Sequence, residues 1–169
     1  MKPIARFPHL VRRFCGVLSA RVDASELVTL DRYLNASERD LFLLMRVADQ
    51  RHSLDLCRRL EGDGHTDPDL LRAALLHDVG KAFGPLPLPH RVIFSFCRLV
   101  SPGLASWLAR RDSPRWCRPF FLAANHADIG ARAAARAGSN PRVVGLIGGH
   151  DSPGRDRLSR LLYHYDGRM

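Results

Sequence analysis

His77 and Asp78 sit in an apolar run, directly after Ala73-Ala74-Leu75-Leu76. A carboxylate in such a run faces a large desolvation cost unless it is paired or binds a cation. Imidazole and carboxylate are both good ligands for zinc, iron or manganese. Successive helical residues point about 100° apart, so the pair can chelate one ion at the edge of a face or bridge two. Lys81 follows His77 by four residues and Asp78 by three, and a helix brings it out beside them. An ammonium there can hold a substrate phosphate against a metal.

A lone His-Asp dipeptide is more often a surface pair, or an aspartate holding a core histidine by a hydrogen bond. Three further histidines change the weighing. His52 falls on the apolar side of the preceding helical segment, and His126 and His150 each close an apolar stretch. Singly, each reads as an ordinary buried or exposed histidine. Taken in order on successive helices, they form a convergent set.

The elements that must position this set are helical throughout. Asp23 or Ser25 caps a short helix through Leu34. Ser37 reads as the N-cap of a long helix, with Asp40 three residues on. That helix runs through Leu41, Leu44, Met45, Ala48, His52 and Leu56, spaced by three and four, and stops at Gly62 and Gly64. Asp67-Pro68 opens the next, with proline in the first turn, and its pattern continues through His77 and Asp78 to Lys81. Gly84-Pro85, Pro87 and Pro89 break the chain, and His90 to Arg111 divides into two short helices at Ser101-Pro102-Gly103. Ser113-Pro114 starts a long helix to Gly138. Pro141 starts a short one to Gly148-Gly149, a turn covers 150–154, and a last helix spans about Asp156 to Tyr165. No alternating β-branched run and no internal repeat occurs. The pattern predicts an all-α, single-domain helical bundle with short connections.

Composition agrees with a globular chain: 169 residues, 46% hydrophobic and 25% charged, suit one domain with a real core. Cys15, Cys57, Cys97 and Cys117 form no CxxC pair and read as reduced thiols inside helices, as expected in the cytoplasm. The net charge of +9 comes mainly from arginine and admits nucleic acid, an anionic membrane or a phosphorylated substrate. The arginines are scattered with few aromatics between them, which argues against a dedicated nucleic-acid surface. No stretch approaches the roughly 20 apolar residues of a spanning helix. The segment 1–22 lacks the unbroken apolar centre of a signal peptide. It reads as an amphipathic helix that packs on the domain in preference to lying on a membrane.

Several segments resemble the motifs of the HD superfamily of metal-dependent phosphohydrolases, in its small single-domain bacterial form. Arg51-His52-Ser53-Leu54 and Leu75-Leu76-His77-Asp78-Val79-Gly80-Lys81 resemble its first two motifs. Asn125-His126-Ala127-Asp128-Ile129-Gly130-Ala131 resembles the third, and Leu146-Ile147-Gly148-Gly149-His150-Asp151 the fourth. Leu161-Leu162-Tyr163-His164-Tyr165-Asp166 occupies the place of the final metal-binding aspartate. The resemblance spans roughly residues 41 to 166. It implies an HD-type domain over 37–169 preceded by an N-terminal helical extension, 1–36.

The resemblance further implies that His52, His77, Asp78 and Asp166 hold one divalent transition metal, and that His126 and His150 hold a second, with Asp78 bridging. Iron, manganese, zinc, nickel and cobalt all suit such a ligand set. The implied activity is hydrolysis of a phosphoester or phosphoanhydride in a nucleotide-like small molecule by metal-activated water, with Lys81 and Arg155 on the phosphate. The departures are specific. The Gly-Tyr-Pro element of the cyclic-dinucleotide branch is absent, and Val79-Gly80-Lys81-Ala82 stands where the alarmone branch has Glu-Asp. The six-ligand pattern is similar to small bacterial enzymes that split diadenosine tetraphosphate. Asp151 stands where many relatives carry a second histidine or a glutamate, and little chain follows Asp166 to brace it. Two alternatives stay open: a di-iron oxygenase with the same ligands, and a non-catalytic binding domain whose site has decayed.

Overall fold

A computed structural model describes residues 21–154 and 156–167 of the chain. The segment read as an amphipathic N-terminal helix lies almost wholly outside the described residues, as do Cys15 and Arg155. The elements are α1 (Ala24–Tyr33), α2 (Ala36–Leu43), α3 (Val47–Gly62) and α4 (Pro68–Leu76), followed by a 3₁₀ turn (Val79–Ala82). After them come α5 (Leu88–Val100), α6 (Pro102–Leu108), a second 3₁₀ turn (Arg115–Cys117), α7 (Arg118–Arg136), α8 (Pro141–Gly149) and α9 (Arg157–Asp166). There is no strand among the described residues, so the chain is an all-α, single-domain bundle. No helix among them is long and apolar enough to cross a membrane.

Helix α4 is the axis of the bundle. Asp67 caps it by accepting from the Asp69 and Leu70 N–H groups at 3.0 and 3.2 Å, and Pro68 fills the first position, where no N–H is needed. Leu70, Leu71, Ala73, Ala74, Leu75 and Leu76 are all buried, so α4 is enclosed on nearly every side. It packs on α3 and α8. Leu54, Leu56 and Leu60 of α3, Val143 and Ile147 of α8, and Leu162 of α9 complete the main core. Each such leucine stabilises the fold by roughly 1.5–3 kcal/mol. Helix α1 belongs to the same core through Leu30 and Tyr33, so residues 24–34 pack with the bundle. A second, smaller core of Phe94, Ala105, Leu108, Cys117 and Phe120 joins α5, α6 and the start of α7. Cys57, Cys97 and Cys117 are free thiols, and burial pushes that of Cys57 up to about 12.

Three helix boundaries differ from the expectation. The expected helix from Ser37 to Gly62 is broken into α2 and α3 where Arg46 turns extended, and the Gln50 amide donates to the Leu43 and Met45 carbonyls freed at the break, at 3.3 and 2.9 Å. Its cap is Asn35, not Ser37. The Asn35 side chain accepts from the Glu38 N–H, and the Glu38 carboxylate accepts from the Asn35 N–H, both at 2.9 Å. The third difference concerns the site: α4 stops at Leu76, and Asp78 adopts φ −94° and ψ 0° at the entrance to the 3₁₀ turn.

Candidate metal centre

The turn after α4 is possible because two backbones touch. A Cβ on Gly80 would overlap the carbonyl of His126, and one on Gly130 would lie 3.1 Å from the Gly80 nitrogen. Glycine at both positions lets the 3₁₀ turn rest directly on α7. This contact sets His77 and Asp78 against His126. The site is thus built where α4, α7, α8 and α9 end or cross, with α3 alongside.

Three of its histidines are oriented by the same device. Nδ1 of His77 donates to the Ala74 carbonyl (2.9 Å), Nδ1 of His126 to that of Ala123 (2.8 Å) and Nδ1 of His150 to that of Ile147 (2.7 Å). A carbonyl only accepts, so each Nδ1 carries a proton and each ring turns its Nε2 inward, where it offers a lone pair whenever the ring is neutral. His77 is fully buried, and its Nε2 has no hydrogen-bond partner. That atom lies 3.6 Å from Asp78 Oδ2 and 3.6 Å from Asp166 Oδ1. His52 comes from the middle of α3 and places Nε2 2.8 Å from Asp166 Oδ1.

Asp78 divides the donors into two groups. Its Oδ2 faces His77 and takes Lys81 Nζ at 2.5 Å. Its Oδ1 faces the other way, 3.6 Å from His126 Nε2 and 3.8 Å from His150 Nε2. His126 and His150 bring their Nε2 atoms within 3.2 Å of each other. Asp151 Oδ1 stands 3.7 and 3.5 Å from the same two atoms.

The electrostatics follow from burial against charge. Burial alone would raise the Asp78 carboxyl, but Lys81 and His77 hold it well below the usual range. Burial likewise opposes ionisation of Asp166, and His52 and His77 overcome it. For His77, burial disfavours the imidazolium, yet Asp78 and Asp166 lift it to about 9. Burial, then Lys81, pushes His126 down, and burial, then His77, pushes His150 down to about 4.

The donor set fits a metal. Ligands about 2.1 Å from a tetrahedral ion lie about 3.4 Å apart, close to the separations of 3.2 to 3.8 Å found here. Three overlapping triads, His52-His77-Asp78, His77-His150-Asp166 and Asp78-His126-His150, could each hold an ion. The Nε2 of His77 is fully buried without a hydrogen-bond partner, as the donor atom of a metal ligand would be.

Comparison with protein-family models, with curated proteins and with solved structures gives no match to this chain. The functional reading therefore rests on this geometry.

All six residues expected as ligands, and Lys81, converge on one point. Two features go beyond the ligand set expected from the sequence. Asp151, noted there only as a departure from the relatives' motif, lines the site; it follows His150 as Asp78 follows His77: each helix ends on a histidine bonded to the carbonyl three residues back, then an aspartate faces inward. The other is a bidentate pair in which Arg91 of α5 donates to the Asp49 carboxylate at 2.7 and 2.8 Å, one turn before His52. It fastens α5 beside the site.

Proposed function

We propose that the protein is a metal-dependent phosphohydrolase acting on a phosphoester or phosphoanhydride of a nucleotide-like substrate. The observation that carries this reading is Asp78, whose two oxygens face separate histidine groups while Lys81 stands against one of them. His52, His77, Asp166 and Asp78 Oδ2 would hold one ion, and His126, His150 and Asp78 Oδ1 a second. Such ions would supply positive charge for phosphoryl oxygens and a water-derived nucleophile at neutral pH.

The chain's own residues do the rest. The backbone carbonyls of Ala74, Ala123 and Ile147 fix the imidazole rings, so the donors need no reorganisation when substrate arrives. Lys81 is partly exposed, and its ammonium can exchange the Asp78 carboxylate for a substrate phosphate oxygen. Asp151 is one-third exposed at the mouth, where its carboxylate can accept a proton from water at Oδ1. The resemblance to the HD superfamily agrees with this arrangement, in ligand types and in order along the chain.

Metal quantification on the wild type and on a His77→Ala/Asp78→Ala variant tests the reading, followed by a nucleotide panel scored for phosphate release. The wild type should retain one or two transition-metal ions that the variant loses, and its hydrolysis should depend on them. A metal-loaded protein inert across the panel would overturn it.

A further inference from the structure

The small core under α5 and α6 leaves a broad apolar face outside. On α5, Phe94 and Cys97 turn inward, while Val92, Ile93, Phe96, Leu99 and Val100 are exposed. Those five recur at helical spacing and make one outward stripe. Leu104 and Trp107 of α6 extend it, and Trp116 adjoins, with its ring 6.5 Å from that of Trp107. Soluble surfaces rarely leave so many large apolar side chains adjacent without a partner.

The charge around this face is one-sided. Between Leu88 and Ala127 the chain carries Arg91, Arg98, Arg110, Arg111, Arg115 and Arg118, and the single acidic residue is Asp112. Arg91 is turned inward to Asp49, and Arg110 holds Asp112. Arg98, Arg111, Arg115 and Arg118 are exposed and have no carboxylate partner among the described residues. A cleft of about 340 Å³ opens among Arg110, Arg111, Ser113, Arg118 and Phe121.

We propose that the α5–α6 face docks the protein on an anionic lipid bilayer, with the arginine cleft receiving a lipid phosphate headgroup. The apolar stripe supplies the part that enters the acyl boundary, and tryptophan and arginine are the residues suited to its edge. The other occupants fit less well. A second copy would set two arginine-rich faces together. The basic segment before residue 21 carries Lys2, Arg6, Arg12 and Arg13 and meets the same repulsion. Nucleic acid would satisfy the arginines and leave the α5 stripe in water.

The chain has two tryptophans, and both lie on this face, so intrinsic fluorescence reports the contact directly. The full-length protein is titrated with phosphatidylcholine vesicles and with vesicles of phosphatidylcholine and phosphatidylglycerol, with and without an acyl-chain quencher. The anionic vesicles should shift emission to the blue, expose it to the quencher and sediment the protein. The effect should weaken as salt shortens the Debye length. An Arg111→Glu/Arg118→Glu variant should bind at least about ten-fold more weakly, and a Phe96→Ser/Leu99→Ser variant should lose quenching. Circular dichroism checks that both remain folded, as exposed sites should. The proposal is overturned if no vesicle sediments the protein, or if it sediments with its tryptophans unmoved. It also fails if the Arg variant binds like the wild type, or if tryptophan emission responds to self-association or to an oligonucleotide and not to lipid.

Discussion

His126 and His150 face each other through their Nε2 atoms at 3.2 Å, and each ring has already committed its Nδ1 proton to a backbone carbonyl. Two neutral rings so fixed oppose lone pair to lone pair in a buried place. A shared proton would relieve the opposition only by creating a buried imidazolium, which burial disfavours in both rings. His126 and His150, with Asp78 Oδ1 close to each ring, could instead share both lone pairs with a divalent cation. The fold thus keeps a donor cluster whose lone-pair opposition a cation would satisfy.

The first prediction follows from that opposition. Metal should stabilise the native state strongly, because the unfolded chain has no assembled site. At a free metal concentration about 100-fold above Kd the gain is about 2.7 kcal/mol, or roughly 5–10 °C for a domain of this size. Calorimetry with excess metal and then with chelator measures it. Equal unfolding temperatures would show that the cluster binds nothing.

Lys81 separates substrate binding from metal binding. Its ammonium contacts Asp78 Oδ2 and no histidine nitrogen is assigned to it. Lys81→Ala should leave metal content unchanged and lower phosphate release by about a hundred-fold, the usual cost of losing one charge-stabilising donor. Metal analysis beside steady-state kinetics reads both. Loss of metal together with activity would place Lys81 in the support of the site and not on the phosphate.

The helix order is legible because punctuation marks it: Pro68, Pro102 and Pro141 each stand at a helix start, and Gly138 follows α7 with φ +88°. The α2–α3 break carries no proline or glycine. Its free carbonyls are taken up by the side chain of Gln50, a polar residue whose burial the pattern does not announce. The helical period runs past His77 because nothing local stops it; the Gly80–His126 backbone contact, which no local signal encodes, accompanies the turn. His77 and Asp78 stand out in sequence because a carboxylate in an apolar run must be paired or bind a cation. Asp151, in a turn beside Ser152 and Pro153, gives no such contrast, and Arg91 looks like any scattered arginine until Asp49 is beside it.

Gly80 should be the most sensitive glycine among the described residues. An added methyl meets the His126 backbone, which cannot move aside as a side chain would. Gly80→Ala should cost about 3 kcal/mol and reduce metal content, because the 3₁₀ turn carries Asp78 with it when it lifts from α7. Gly145, in the middle of α8, has open space around its missing Cβ. There the same substitution should stabilise by about 0.4–1 kcal/mol. Urea unfolding of the two variants gives opposite signs if the contact is as described; a tolerated Gly80→Ala would contradict it.

Acid should also act on a carboxylate outside the ligand set. Glu26 accepts from Arg51 at 2.6 Å and pairs with Arg58 at 2.6 Å, tying α1 to α3. The Arg51 hydrogen bond, the Asp23 backbone N–H and Arg58 together lower Glu26 from its ordinary value of 4.5 to about 2. The folded state therefore binds this proton less readily than the unfolded chain. The stabilisation it gives is complete above pH about 4.5 and drains away as pH falls through about 2. Glu26→Gln keeps the shape and removes the charge, so it should be less stable than the wild type at neutral pH. The gap should close progressively on acidification through that window. Paired urea midpoints across the acid range measure the difference. A gap that stays constant down to pH about 2 would mean that the charge of Glu26 is not what ties α1 to α3.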